Sequence, residues 1–559
     1  MTARPASKRS RPPRGREDAV RLAGLALLWA GFFVLVDPRG AFPLNDDFSY
    51  AESARGLLSG AGLRIPEWVL SSTVSHTALG ALMTAPWGAS NQALRLWMIL
   101  LGGLGVCGVY ALARRWKAGP DAALLAAATL AFSPLYAAMS ASFHLDVTAS
   151  VFTLAALLCF LRGRQEGSTR WLALCSLLIA ASGLTRQTGF LCALGGAASL
   201  AWERRLTARA AAALLLPAGA AALVFWAWVR FVHGPTWAWE SAMSTPTLSI
   251  WADSATWVRT LDRLSRSLQT GALFLAPLAV LSMRDGALRR PSRKEASLLA
   301  AIAAGALWGL SRGEGLPLLQ NTLSRTGLGV VLLDGAQDKP AGWWASPWLW
   351  QGAGILALAC SLALTRRLAL TEDEEVSRER GAAALFVAAA FLPALLMPTM
   401  YDRYLLILLP VAAAATAAGQ SIKTRALVPS LLGLGLLVFC SGAGLRDYFS
   451  WNRARWAAGM SAVELGVPPE RVENGFDWDG QFSLARNLAA LRAVKPAKEI
   501  GVWEWQELNR ILVRTSFSAP EKMPGWTLVG RFPYATPLVP DGGEVRLYAH
   551  PALFKAARR

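Results

Sequence analysis

Residues 20–52 read VRLAGLALLWAGFFVLVDPRGAFPLNDDFSYAE. The apolar run from Val20 to Val36 is soon followed by two adjacent carboxylates, Asp46 and Asp47. A run of this length, about 20 residues, predicts a membrane-spanning helix. The preceding segment, Arg4 to Arg16, is basic and rich in Pro, and no small-residue cleavage site follows. A retained first helix with a cytoplasmic N-terminus is therefore expected. The acids then stand at the outer face, where they suggest chemistry at the membrane surface.

The composition extends this reading to the whole chain. Of its 559 residues 54% are hydrophobic and 17% charged, with a mean hydropathy of +0.35. That profile fits a multi-spanning membrane protein rather than a soluble one. The net charge of +19 does not point to nucleic acid, because Lys and Arg cluster between apolar runs as in cytoplasmic loops. The six cysteines all lie inside apolar runs, with the spacing of neither a disulfide framework nor a zinc site.

Apolar runs begin near residues 20, 91, 120, 147, 170, 188, 210, 267, 296, 348, 381, 404 and 426, predicting thirteen spans. With the N-terminus inside, the basic clusters at 114–117, 162–170, 204–205, 289–294, 366–367 and 423–425 all fall inside, as the positive-inside rule requires. The same count leaves outside the segments 38–90, 138–146, the turn at Arg186 and Gln187, 231–266, 313–347, 398–403 and the tail. Three parts are expected: a basic cytoplasmic N-terminus (1–19), a transmembrane domain (20–444) and an extracytoplasmic C-terminal domain (445–559). In the last, strand-like pieces at 526–530 and 544–548 predict a small α+β fold. Tryptophans near helix ends, such as Trp343 and Trp348, read as an interfacial belt.

Polar residues concentrate in these outer segments. They include Asp46, Asp47, Tyr50 and His76 in the first loop and Asp146 at the outer end of the fourth helix, where that run begins. Arg186 and Gln187 form a turn, Arg325 lies in the segment 313–347, and Tyr401 and Arg403 precede the twelfth span. Each has an ordinary explanation: the acid pair as a helix stop, Asp146 as an N-cap, the arginines as headgroup anchors, His76 and His144 as structural loop residues. Jointly they describe a site for group transfer from a phosphorylated lipid. Guanidinium groups hold a departing phosphate through bidentate, charge-assisted hydrogen bonds. A carboxylate, Asp46 or Asp47, can take the proton of an incoming hydroxyl or amine, and adjacent like charge raises the pKa of one member. Asp146 can orient the acceptor or, with Asp46 or Asp47, hold a divalent cation.

The string Asp46-Asp47-Phe48-Ser49-Tyr50-Ala51 after a single helix resembles the opening of the GT-C glycosyltransferases, in particular the family 39-like group. That group includes protein O-mannosyltransferases and lipid A aminoarabinose transferases. The resemblance continues at LTRQTG (184–189), NTLSRTGLG (321–329) and YDRYLL (401–406) leading to Pro410. It implies an all-α polytopic GT-C fold with a small external α+β domain. It also implies a polyprenyl-phosphate sugar donor, inversion at the anomeric carbon, and Asp46 as base with Asp47 as the neighbouring acid. Asp146 falls where the second external acid lies, and Arg186, Arg403 and Tyr401 are expected at the donor phosphate. Tyr50, His76, Gln187 and Arg325 are the further candidates for substrate contact. Several members of the family act without a metal, so a divalent cation stays open. The tail lacks the repeated β-trefoil of the eukaryotic enzymes, which points to a bacterial inner-membrane enzyme with a lipid, glycan or protein acceptor.

Other classes fit less well. A transporter or flippase of lipid-linked saccharide is expected to show broken helices or ionisable groups near the midplane, whereas these helix interiors are mostly Ala, Leu, Val and Gly. A non-catalytic envelope protein leaves the outer acids and arginines unexplained. A saccharide polymerase or ligase would rest on arginines in a large external loop.

Overall fold

The opening apolar run forms helix α1 (Arg16–Val36) in the computed structural model. Asp37 ends it in a left-handed conformation, φ 57°, with its N–H bonded to the Phe33 carbonyl, and Pro38 prevents continuation. The structure describes residues 15–243, 254–286, 291–311, 318–369, 373–397, 399–422 and 424–556. Most of the basic N-terminal segment (1–14), Arg289, Arg290, Lys423 and parts of the segments 231–266, 313–347 and 398–403 lie outside the described residues.

Two short helices fold within the first loop, α2 (Asp47–Leu58) and α3 (Val74–Thr84). The chain continues through α4 (Asn91–Arg115), α5 (Pro120–Ala131), α6 (Pro134–Ser140), α7 (Leu145–Glu166), α8 (Thr169–Gly183), α9 (Leu191–Trp202), α10 (Ala208–Trp228) and α11 (Trp237–Met243). It goes on through α12 (Ser254–Phe274), α13 (Ala276–Gly286), α14 (Arg293–Ser311), α15 (Pro347–Ala369), α16 (Glu374–Leu396), α17 (Leu409–Ala417) and α18 (Thr424–Glu464). Small residues set the helix spacing. A Cβ on Gly195 of α9 would lie 2.4 Å from the Leu385 carbonyl of α16, so only glycine permits that approach.

All thirteen expected starting points fall in helical segments, but seven helices among the described residues are long and apolar enough to cross a membrane. They become eight if α5 and α6 form one bent span. Runs that look continuous in sequence are divided by short turns and by proline, so α8, α9 and α17 are shorter than a bilayer requires. The break between α5 and α6, 64°, follows from Pro134, which has no N–H to donate. Ser133 caps the new helix by accepting from the Tyr136 N–H, and Ser441 of α18 donates to the Phe132 carbonyl at 2.7 Å. The break is thereby satisfied from within the protein, as an apolar surrounding requires. The bent pair is also a broken helix, the feature expected of the transporter or flippase alternative.

Helix α18 runs unbroken through the boundary expected at residue 445. Beyond it stands a four-stranded sheet of β3 (Val472–Glu473), β4 (Val513–Ser516), β5 (Thr527–Thr536) and β6 (Val539–Ala549), ordered β3-β4-β6-β5. Of the strand-like pieces expected at 526–530 and 544–548, all but Trp526 lie in β5 and β6, with β1 (Leu323–Ser324) and β2 (Gly327–Leu328) forming a separate small hairpin. The tail helix α19 (Phe476–Arg492) meets the first loop in an apolar cluster that includes Phe48, Trp237, Phe476 and Trp505.

Candidate active site

The first loop turns at Asn45, which adopts φ 52°; asparagine tolerates this left-handed conformation better than most residues. The turn sets Asp46 at the N-cap of α2, yet its carboxylate makes no cap hydrogen bond. Instead one oxygen accepts from Trp68 Nε1 at 3.2 Å, while the other lies 3.5 Å from His144 Nε2 and 3.6 Å from Arg403 Nη2. Asp47 points elsewhere. It is buried, accepting from Ser142 Oγ at 3.0 Å and from the Phe143 N–H at 2.9 Å, so it holds the segment that follows α6.

That segment carries His144, the N-cap of α7, and Asp146 in its first turn. The ordinary reading of Asp146 as an N-cap therefore belongs to His144. His144 Nδ1 is 2.7 Å from Asp146 Oδ2, and Arg186 Nη2 is 3.0 Å from Asp146 Oδ1. Arg403 Nε stands 3.7 Å from Asp146, too far for a hydrogen bond. Aromatic faces steady both arginines: Arg186 lies 4.6 Å over the Tyr404 ring and Arg403 4.6 Å over Tyr401. Asn321 Oδ1 accepts from Arg403 Nη1 at 3.2 Å, and Asp402 accepts the Thr322 and Leu323 N–H groups, which docks the segment at 321–329 beside Arg403.

With His144 protonated, three cations face two carboxylates and leave one positive charge in excess. Burial pushes Asp46 up, but hydrogen bonding to His144 and the Arg403 charge outweigh it, so its pKa is lowered. His144 shifts upward: burial opposes its charge, and Asp146 and Asp46 overcome that penalty. Burial raises Asp47 to about 6. The cause is desolvation and not the adjacent like charge expected from the sequence.

Asp146, Arg186 and Arg403 line a cleft of about 500 Å3 whose opposite wall is apolar, with Phe391, Ala394 and Met397 of α16 and its end. Asp46 lies outside this lining but within 3.6 Å of Arg403 and 3.5 Å of His144. The Nε atoms of Arg186 and Arg403 are buried without a hydrogen-bond partner, leaving donors for an anionic group. A divalent cation on Asp46 and Asp146 would have to displace these arginines and His144. Among the described residues no group of three His, Cys, Asp or Glu side chains is placed to hold a metal.

The structure thus brings together Asp46, Asp146, Arg186, Arg403 and Tyr401. Tyr50 meets His76 and His144 edge to face at ring distances of 5.8 and 5.5 Å. His76 is buried, bonded to Thr148 Oγ1 at 2.9 Å and stacked on Phe143; Gln187 donates to the Leu70 carbonyl. Arg325 is exposed at the tip of the β1–β2 hairpin. Sequence reasoning undervalued His144, although its place two residues before Asp146 in one short loop was a usable signal. Trp68 carried no such signal.

Residues 74–245 match the family model of dolichyl-phosphate-mannose-protein mannosyltransferases, which bears out the resemblance seen in the motifs. No curated protein matches the chain. Among solved structures, ArnT from Cupriavidus metallidurans bound to undecaprenyl phosphate aligns at 16% identity and TM-score 0.39, covering 95% of this chain and 97% of its own. The oligosaccharyltransferase AglB from Archaeoglobus fulgidus aligns at 13% identity and TM-score 0.40, covering 90% and 69%. The arabinosyltransferase EmbB from Mycobacterium smegmatis aligns at 14% and 0.35, covering 82% and 44%.

Proposed function

We propose that this chain is a membrane glycosyltransferase that moves a sugar from a polyprenyl-phosphate donor to a lipid, glycan or protein of the bacterial envelope. The observation that carries this reading is the placement of Arg186 and Arg403 on a half-apolar cleft, with Asp46 in contact with Arg403 from outside its lining. The donor phosphate takes the unpaired guanidinium N–H groups, and its isoprenoid lies along the α16 wall. Asp46 accepts the proton of the acceptor hydroxyl or amine as that atom bonds to the anomeric carbon. The anomeric carbon–oxygen bond breaks, and the phosphate leaves with its charge held by both arginines. We read the transfer as inverting, the acceptor attacking the anomeric carbon on the face opposite the departing phosphate. Asp146 and His144 orient the arginines and Asp46, and we read the transfer as independent of a divalent cation because guanidinium groups occupy that role. By the positive-inside pattern, the site faces the outer side of the cytoplasmic membrane.

The test uses full-length protein in nanodiscs with radiolabelled polyprenyl-phosphate sugars and acceptor-rich membranes. Asp46→Asn should cut release of label from the donor by about 10²–10⁴-fold while donor binding persists. The bent α5–α6 pair favours a second reading, a flippase of lipid-linked saccharide. Under that reading label crosses the bilayer on an intact donor, and Asp46→Asn leaves the donor chemistry unchanged.

A further inference from the structure

At the far end of α7 from Asp146, a second and larger space opens. Asp146 and Arg164 are separated along α7 by about 27 Å of helix at ~1.5 Å per residue, close to a bilayer's hydrocarbon thickness. Below the close contact of Gly195 with Leu385, α9 and α16 flank a groove of about 1160 Å3. Its lining includes Arg164, Trp202, Glu203, Arg205, Arg378 and Gly381. Arg164 is buried and grips Glu203 through Nε and Nη2. Glu203 lies 3.9 Å from Arg205, so one carboxylate serves two arginines. Arg378 pairs with Glu374 and remains exposed. The lining itself therefore holds three arginines against one acid. Trp202 is 87% exposed, Leu385 is 45% exposed, and a Cβ on Gly381 would meet open space.

We propose that this groove binds one anionic phospholipid of the leaflet opposite the Asp46 cluster. The lipid phosphate lies between Arg205 and Arg378, and an acyl chain runs along α16 past Gly381, Ala382 and Leu385. The excess positive charge fits a phosphate, and the apolar wall beside it fits a chain that a soluble anion lacks. Trp202, exposed at the C-terminal end of α9, is an amphipathic ring of the kind that sits among headgroups. The site is separate from the proposed transfer chemistry and does not depend on it.

Native mass spectrometry of the purified full-length chain in detergent tests this, using dioleoyl phosphatidylglycerol and dioleoyl phosphatidylcholine as probes. Wild type should retain one phosphatidylglycerol in preference to phosphatidylcholine. Arg205→Ala with Arg378→Ala should weaken that retention about 25-fold, about fivefold for each arginine. Gly381→Leu keeps every charge, suits a helix better than glycine and fills the groove, so it should also abolish the preference. Equal retention of the two lipids, an unchanged Gly381→Leu variant, or displacement of the lipid by inorganic phosphate alone would each overturn the proposal.

Discussion

Asp46 and Asp47 are neighbours in sequence but belong to different environments. The Asp47 carboxyl, ordinarily near 3.8, is raised to about 6 by burial. Between those values the folded chain keeps a proton that the unfolded chain has released. Its contribution to stability is therefore full below pH 3.8 and lost as pH rises through about 6, about 3 kcal/mol in all. Asparagine has the same shape and can accept from the Phe143 N–H while donating to Ser142. Asp47→Asn should flatten the loss of thermal stability over that range and keep transfer within a few-fold of wild type. Loss of activity as deep as in Asp46→Asn would assign the base to Asp47 instead. His144 carries the opposite half of the contact. Its raised pKa makes its contribution full below pH 6.5 and lost as pH rises through the folded value, whereas the lowered Asp46 contributes above 3.8 and loses this as pH falls through its own. Melting curves of wild type and His144→Gln should converge as pH climbs above 6.5; a gap that stays constant would mean that His144 is neutral throughout.

At the scale of elements, the site depends on how the first loop is held. Arg95 of α4 is buried and donates to the carbonyls of Pro38 and Gly40 through Nη1 and of Phe42 through Nη2, at 2.7–2.9 Å. No local pattern in the sequence distinguishes it from an arginine at a helix end. Arg95→Met would leave these carbonyls without their donor, at a cost of about 3 kcal/mol or more. We expect a lower melting temperature together with slower transfer, because the turn at Asn45 loosens. A stable variant with wild-type turnover would show that the loop is held by its helices α2 and α3 alone. The bend before Pro134 works on the other side of the site, since it directs α6 into the Ser142–His144 segment that Asp47 holds.

For the whole molecule, the question is how the tail is joined to the bundle. Lys339 and Asp447 have no side-chain exposure and lie 2.6 Å apart, and Thr536 Oγ1 donates to the second Asp447 oxygen. Lys339 also donates to the Thr326 carbonyl. The contact links the 318–346 segment, α18 and the end of β5, which are far apart in the chain. Lys339→Met would strand a buried carboxylate and should destabilise by about 3–5 kcal/mol, visible as a lower melting temperature. Adding Asp447→Leu should recover much of the loss; a single variant that melts with wild type would make the tail's aromatic cluster with Phe48 and Trp237 the dominant joint.

Much of this was legible in the chain itself. Hydropathy and the placement of Lys and Arg indicated a polytopic helical protein, because apolar length and charge are properties of a segment alone. The strands of the tail and the grouping of Asp46, Asp146, Arg186 and Arg403 on one side could be read for the same reason, since topology places segment ends by counting. The tertiary structure alone decided that Asp46 faces Arg403 while Asp47 turns to the Phe143 backbone, that His144 joins two carboxylates, and that apolar runs divide into spans and shorter helices. Those outcomes depend on side-chain direction over a single residue and on contacts between segments hundreds of positions apart, such as Asp46 with Arg403. Neither is encoded in local periodicity.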